Sequence, residues 1–355
     1  MSSLDNYIKN YGTILFEESS INDVDNVIFS CLAYINFEDI LDEKDITMLK
    51  AYKKYKNKYS SKEIAKFSYS LKKGCYLFMN IATTSRFKDV IISNYVKILD
   101  NTKQFCAVTF KLPDNSIYIA YEGTDDSIIG WKEDFETSYM FPVPSQILAV
   151  QYLNDAIKRS NHNVYVGGHS KGGNLAMTAA MYCKSYIKRR IKKVYNNDGP
   201  GFRDEEYNSL EYKIMAKKLR KFVPEDSMVG MILKNDENYI TVHSNAHAFY
   251  QHYPFTWECY GAFFLKSTRS KMSEKFEDRI EKWLNNFNDK QREEFFESFF
   301  GVMEKSSITC LKELREFKFD RVLTLIKTSK NLDKDTKKML INAFKDFIFE
   351  KEVVK

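Results

Sequence analysis

The feature that most constrains this chain is Gly168-His169-Ser170-Lys171-Gly172-Gly173. Before it lies a short apolar, β-rich run, residues 163–168 (NVYVGG). After it comes an Ala- and Met-rich stretch that reads as a helix from Gly172 to Arg190. A G-x-S-x-G placed between strand and helix requires a turn too tight for side chains at its flanks, which explains Gly168 and Gly172. Such a turn lifts Ser170 Oγ out of the sheet. It also points the positive end of the following helix at the space in front of the serine. Ser170 is therefore the candidate nucleophile, and the backbone N–H of Lys171 a candidate oxyanion donor.

The surrounding pattern agrees with a strand–turn–helix setting. Residues 104–110 and 116–122 are β-rich runs around Pro113-Asp114-Asn115, which predicts a hairpin. A helix is expected over 145–159, and strands over 193–197, 220–223 and 239–244. This alternation predicts an α/β fold with a mostly parallel sheet and helices on both faces. Eleven of the 13 glycines lie between Gly74 and Gly261, so the two ends should be mostly helical. Residues 1–100 carry helix-period apolar positions such as Val24, Val27, Ile28 and Cys31. The expected organisation is a catalytic domain over 1–267, its sheet within about 75–265, and a C-terminal helical region over 268–355.

Several function classes are set aside by composition. Lys and Arg number 54 against 48 Asp and Glu, a mild excess of +6 rather than the field of a dedicated nucleic-acid binder. Residues 50–66 interleave seven Lys with Tyr52, Tyr55 and Tyr59, which reads as a solvated amphipathic helix. The six cysteines form no CxxC pair, and no metal motif or cofactor motif occurs. The first twenty residues carry early acids and no apolar run, and no uncharged apolar stretch is long enough to span a membrane. A cytoplasmic protein without a transmembrane segment is expected.

A nucleophilic serine needs a base, and the base needs a carboxylate. With the chain order Ser, acid, His, the bases open to Ser170 are His243, His247 and His252. His243 sits within the β-rich YITVHS, while His247 and His252 fall in the following loop, where a catalytic His belongs; His252 is favoured. Asp226 in FVPEDSMVG is favoured as the acid. Asp198 lies in a DGPG turn, where an Asp often serves only the turn, and Glu225 is a third choice. A second oxyanion donor is expected from the strand end Tyr121-Glu122-Gly123-Thr124-Asp125-Asp126. There Gly123 admits close approach, and Thr124 offers both an N–H and a hydroxyl.

Taken together, Gly123-Thr124-Asp125, Trp131, Asp134, the Gly168–Gly173 elbow and Pro224-Glu225-Asp226 resemble the lipase class 3 group of α/β-hydrolases. The likeness is closer still to a bacterial family of that superfamily with a Gly-His-Ser-Lys-Gly-Gly elbow. That family also shares Val-Pro-Glu-Asp-Ser and a Gln251-His252 pair before Pro-Phe-x-Trp. The resemblance covers most of residues 1–260. It implies an α/β-hydrolase fold, to which the glycine distribution adds helical N- and C-terminal additions. It also implies a Ser170–Asp226–His252 triad with Thr124 as oxyanion donor, acting on a small-molecule or lipid acyl ester without a cofactor. Glu122, where class 3 lipases commonly carry Arg, and Tyr253, where the closer family tends to have Asp, depart from the pattern. The rival expectation is a hydrolase-fold protein that binds a ligand or partner without turnover.

Overall fold

A computed structural model describes residues 3–305 apart from 39, 42–44, 126, 159–161 and 236–237, together with 334, 337 and 338. Eight strands lie side by side in chain order. They are β1 (Asp45–Thr47), β2 (Ile91–Leu99), β3 (Gln104–Lys111), β4 (Ile117–Tyr121), β5 (Val164–His169), β6 (Ile191–Asn197), β7 (Leu219–Pro224) and β8 (Ile240–Val242). The pairings from β1 to β4 are antiparallel and those from β4 to β8 are parallel. The expected β3–β4 hairpin turns at Asn115, whose φ is +63°.

Side chains alternate across the sheet with a period of two, so each strand feeds two cores. Along β4, Tyr118 and Ala120 join one core, while Ile117, Ile119 and Tyr121 join the other. The first core is closed by α1 (Ser3–Tyr11), α2 (Asp23–Leu32), α3 (Met48–Lys58), α4 (Ser61–Ile64) and α5 (Tyr69–Ile81). The second is closed by α7 (Pro144–Ala156), α8 (Lys171–Tyr182), α9 (Ser185–Arg190) and α11 (Leu210–Ala216). The short α6 (Ile128–Glu136) and α10 (Asp204–Asn208) lie in the connections. This is an α/β-hydrolase fold: a mostly parallel eight-stranded sheet with helices on both faces.

Two local expectations are corrected. The sheet does not lie within about 75–265, because β1 extends it N-terminally to residue 45 and, with β2, interrupts the helices of residues 1–100. A register shift between Ser93 and Val96, with Asn94 at φ +50°, breaks the alternation of β2 and hides it from a periodicity reading. The helix expected to run to Arg190 stops at Tyr182, since Cys183 and Lys184 adopt extended backbone before α9.

Helix α2 is buried along its whole length. Its polar side chains therefore need internal partners. Asn26 Nδ2 donates to Asn197 Oδ1 at 2.8 Å, and Asn197 Nδ2 donates to Ser30 Oγ at 3.0 Å and to the Gly168 carbonyl at 3.1 Å. Tyr118 Oη donates to Asn26 Oδ1 at 2.7 Å. This network fixes the ends of β5 and β6 from beneath. Asp25 pairs with Arg86, both side chains fully buried, and Tyr7 Oη donates to Asp25 at 2.7 Å. Arg86 also donates to the Ile14 and Ser19 carbonyls, each at 3.0 Å, and so ties the N-terminal segment down. Arg86→Met leaves a buried carboxylate without its cation, and should lower unfolding stability by about 3–5 kcal/mol. Urea denaturation checks this; a loss below about 1 kcal/mol would show that the pair does not hold the segment.

Two further helices, α12 (Lys271–Asn285) and α13 (Asp289–Lys305), follow the sheet. Ser273 Oγ donates to the Ser227 carbonyl, and Phe296 stacks on Phe135 of α6 at 4.7 Å. Both helices thus contact the connections around the sheet. Of the C-terminal helical region expected after residue 267, all beyond 305 except 334, 337 and 338 lies outside the described residues.

Candidate active site

Ser170 stands between β5 and α8 with φ +57° and ψ −132°. A side-chain-bearing residue in this region is strained, and it persists only where its surroundings fix it. Here Ser170 N donates to the Asn197 carbonyl at 3.0 Å, and Gly173 N donates to the Ser170 carbonyl at 2.9 Å. The glycines make the turn possible. A Cβ at Gly168 would strike the backbone of Gly172, and one at Gly172 would strike the Tyr121 carbonyl. Ser170 itself is 8 % exposed at the head of α8.

The structure joins His252 to Asp198. His252 Nδ1 donates to Asp198 Oδ2 at 2.6 Å, and Ser227 Oγ donates to Asp198 Oδ1 at 2.5 Å. Asp198 is fully buried, with φ +52° and its N–H on the Phe222 carbonyl at 2.8 Å. The DGPG turn also presses on the elbow, because a Cβ at Gly199 would strike the Ser170 carbonyl. The turn therefore delivers a carboxylate beside the serine.

Asp226, expected to orient His252, is engaged elsewhere. Its Oδ2 accepts from Ala248 N at 2.9 Å and from Gln251 Nε2 at 3.0 Å, while its N–H donates to Gln251 Oε1 at 2.8 Å. Asp226 thus braces the 3₁₀ turn Ala248–His252 that carries the histidine. Glu225 accepts from His243 Nδ1 at 3.0 Å and from Ser267 Oγ at 2.6 Å, which removes both from the site. His247 caps the 3₁₀ turn and is exposed.

Two residues absent from the sequence-based site complete the bracing. His169 Nε2 contacts the His252 carbonyl at 2.7 Å, and its Nδ1 contacts Tyr34 Oη at 2.8 Å. A carbonyl can only accept, so Nε2 carries the proton, Nδ1 accepts, and Tyr34 donates. Burial, with His252 alongside, holds the His169 pKa well below the usual histidine value, so the ring stays neutral. The rings of His169 and His252 lie 4.5 Å apart. The only sequence signal for His169 was its place beside Ser170, and Tyr34 gave none.

The expected oxyanion residues gather at the same end of the sheet. Gly123 faces the elbow: a Cβ there would stand 3.1 Å from Ser170 Cβ and 2.5 Å from the His169 carbonyl, and would strike Tyr34 Oη. Thr124 Oγ1 donates to Asp134, so its hydroxyl is committed and its N–H is the group left for an oxyanion. Desolvation pushes the Asp134 carboxyl up to about 6, against the pull of Lys171 and the Thr124 hydroxyl. Lys171 turns its side chain inward, donating to the Gln104 carbonyl at 2.8 Å and to buried Glu133 at 3.0 Å. Gln104 Nε2 in turn donates to Glu122 Oε2 and to the Gly123 carbonyl, each at 3.2 Å. Burial raises the Glu122 carboxyl to about 7. The loop from Glu122 to Thr124 is thus held from behind by polar groups. Gly123→Ala should lower kcat/KM by about 10²–10³, the scale of losing one oxyanion donor. Steady-state kinetics on a soluble ester tests this, and a loss below threefold would place the loop outside the chemistry.

Among the described residues no cluster of three His, Cys, Asp or Glu side chains could hold a metal ion. No described helix is long and apolar enough to cross a membrane.

The fold and the family match below define an α/β-hydrolase of lipase-like type. A family model described as Mbeg1-like matches residues 81–301, more than half of the chain, and the chain belongs to that lipase-like family. No curated protein matches the sequence. Among solved structures, one described as the crystal structure of M37 lipase aligns with a TM-score of 0.36 and 16% identity, over 58% of this chain and 68% of that one.

Proposed function

We propose that this chain is a serine hydrolase that cleaves an ester-type acyl bond through an acyl-enzyme. Ser170 is the nucleophile, His252 the base and Asp198 the acid. Ser170 Oγ attacks the carbonyl carbon while its proton passes to His252 Nε2. The backbone N–H groups of Thr124 and Lys171 receive the charge that forms on the carbonyl oxygen. Collapse of the tetrahedral intermediate expels the alcohol, which takes the proton from His252. Water, deprotonated by His252, then releases the acyl group from Ser170. The Asp198 carboxylate stabilises the imidazolium, and no cofactor enters.

The observation that supports this reading is the 2.6 Å Asp198–His252 pair, whose Asp sits in the turn that packs on the strained Ser170 backbone. Free, buried thiols at Cys31, Cys75, Cys106 and Cys183 fit a cytoplasmic setting. The test is labelling with a fluorophosphonate, which forms a stable bond only with an activated serine. The native chain should label at Ser170, and Ser170→Ala should not. A native chain left unlabelled under conditions that label a control hydrolase would favour ligand binding without turnover.

A further inference from the structure

The basic stretch that reads as a plain solvated helix lies against the rim of this site. Residues 50–73 hold nine lysines and one acid, Glu63, in a chain whose net charge is only +6. Glu63 is taken up in capping α4, accepting from Ser60 N at 2.8 Å. Helix α3 buries Met48, Ala51 and Tyr55 and turns Lys50, Lys53 and Lys56 outward. Lys58, Lys62, Lys66 and Lys73 are exposed as well.

Ring contacts carry this band to the catalytic histidine. Tyr55 packs on Phe78 of α5 at 5.6 Å. At the other end of α5, Tyr69 lies 4.5 Å from Tyr253, the neighbour of His252. Phe249 lies 5.5 Å from the His252 ring and is 37% exposed, while Tyr250 beside it is 65% exposed. The rim of the site is thus aromatic and open, and it adjoins at Tyr69 a segment, residues 50–73, whose one acid is Glu63.

We propose that this face docks on an anionic lipid bilayer and presents Ser170 to acyl esters in that surface. The proposal rests on the hydrolase reading above and specifies where its substrate is met. Two independent observations point to the same partner. Lysines with almost no acids among them match a negatively charged surface. Exposed Tyr and Phe at a site rim match the headgroup layer, where amphipathic rings settle. A nucleic acid would also attract the lysines, but the rings surround a hydrolase site rather than line a backbone groove.

The test is flotation of the full chain with vesicles of phosphatidylcholine alone, or with about 30 mol % phosphatidylserine, at about 0.1 M salt. Partitioning should be at least about tenfold greater on the anionic vesicles and should fall steeply at about 0.5 M salt. Each exposed lysine near the surface contributes about fivefold, so combined Lys50→Gln, Lys53→Gln and Lys56→Gln should reduce partitioning by about 100-fold. These substitutions should leave turnover of a soluble short-chain ester unchanged. Tyr250→Ser, which alters no charge, should also weaken partitioning.

Equal partitioning on both vesicle types overturns the proposal, and so does native-like partitioning of the triple variant. Tighter retention of a single-stranded oligonucleotide than of anionic vesicles reassigns the face to nucleic acid. Soluble-ester turnover reports the hydrolase reading separately, so the two can fail independently.

Discussion

Ser170→Ala is expected to lower turnover of activated short esters by about 10⁴–10⁶ and to leave the fold intact. The loss is large because every other group at the site acts through Ser170 Oγ. Asp198 orients His252, His252 accepts one proton, and the oxyanion donors act on an intermediate that forms only when the serine attacks. The fold should survive because the substitution removes one small hydroxyl that makes no capping bond to α8. Alanine meets the same φ of +57° that serine does, and the bonds to the Asn197 carbonyl and from Gly173 N are backbone bonds. The urea midpoint should therefore match that of the native chain while kcat collapses. Near-native turnover by a purified variant would remove Ser170 from the chemistry.

The parallel core of the fold was legible because its strands are buried on both faces and bounded by turn residues. Val164-Tyr165-Val166 before the elbow is such a run. Strand β2 was not legible, since its pleat is interrupted at Asn94 and exposed Asn94 and Lys97 fall among apolar residues without a period of two. In the site, local chemistry was readable and pairing across the fold was not. The elbow announces itself because its glycines and serine are contiguous. The carboxylate for His252 depends on which of two strand ends curls toward β5, and spacing does not encode that. Asp198 looked like a turn residue, and it is one. Its positive φ is also what aims its carboxylate at His252. Tyr34 lies more than 130 residues before His169, and only the packing of α2 on the sheet brings it there.

The acid is where sequence reasoning and geometry part, and exchange of two residues separates them. Asp198→Asn is expected to lower kcat/KM by about 10⁴, as removal of a histidine-orienting carboxylate does. The reason is tautomeric. Asp198 Oδ2 accepts the Nδ1 proton of His252, which leaves Nε2 unprotonated and able to accept from Ser170. An amide at this position can donate to Nδ1 instead and move the ring proton to Nε2, and it offers no charge to the imidazolium. Asp226→Asn should cost far less, about tenfold. Its carboxylate braces the turn through Ala248 N and Gln251, and the amide oxygen of Asn can still accept one of those bonds. Both variants should be measured on the same soluble ester, with fluorophosphonate labelling rates alongside. Labelling should slow greatly for Asp198→Asn, since it requires the activated serine, and only slightly for Asp226→Asn. Suppose the order were reversed, with Asp226→Asn near 10⁻⁴ of native activity and Asp198→Asn close to native. The carboxylate that serves His252 during catalysis would then be Asp226, and the 3₁₀ turn Ala248–His252 would have to swing away from Asp198 when substrate binds.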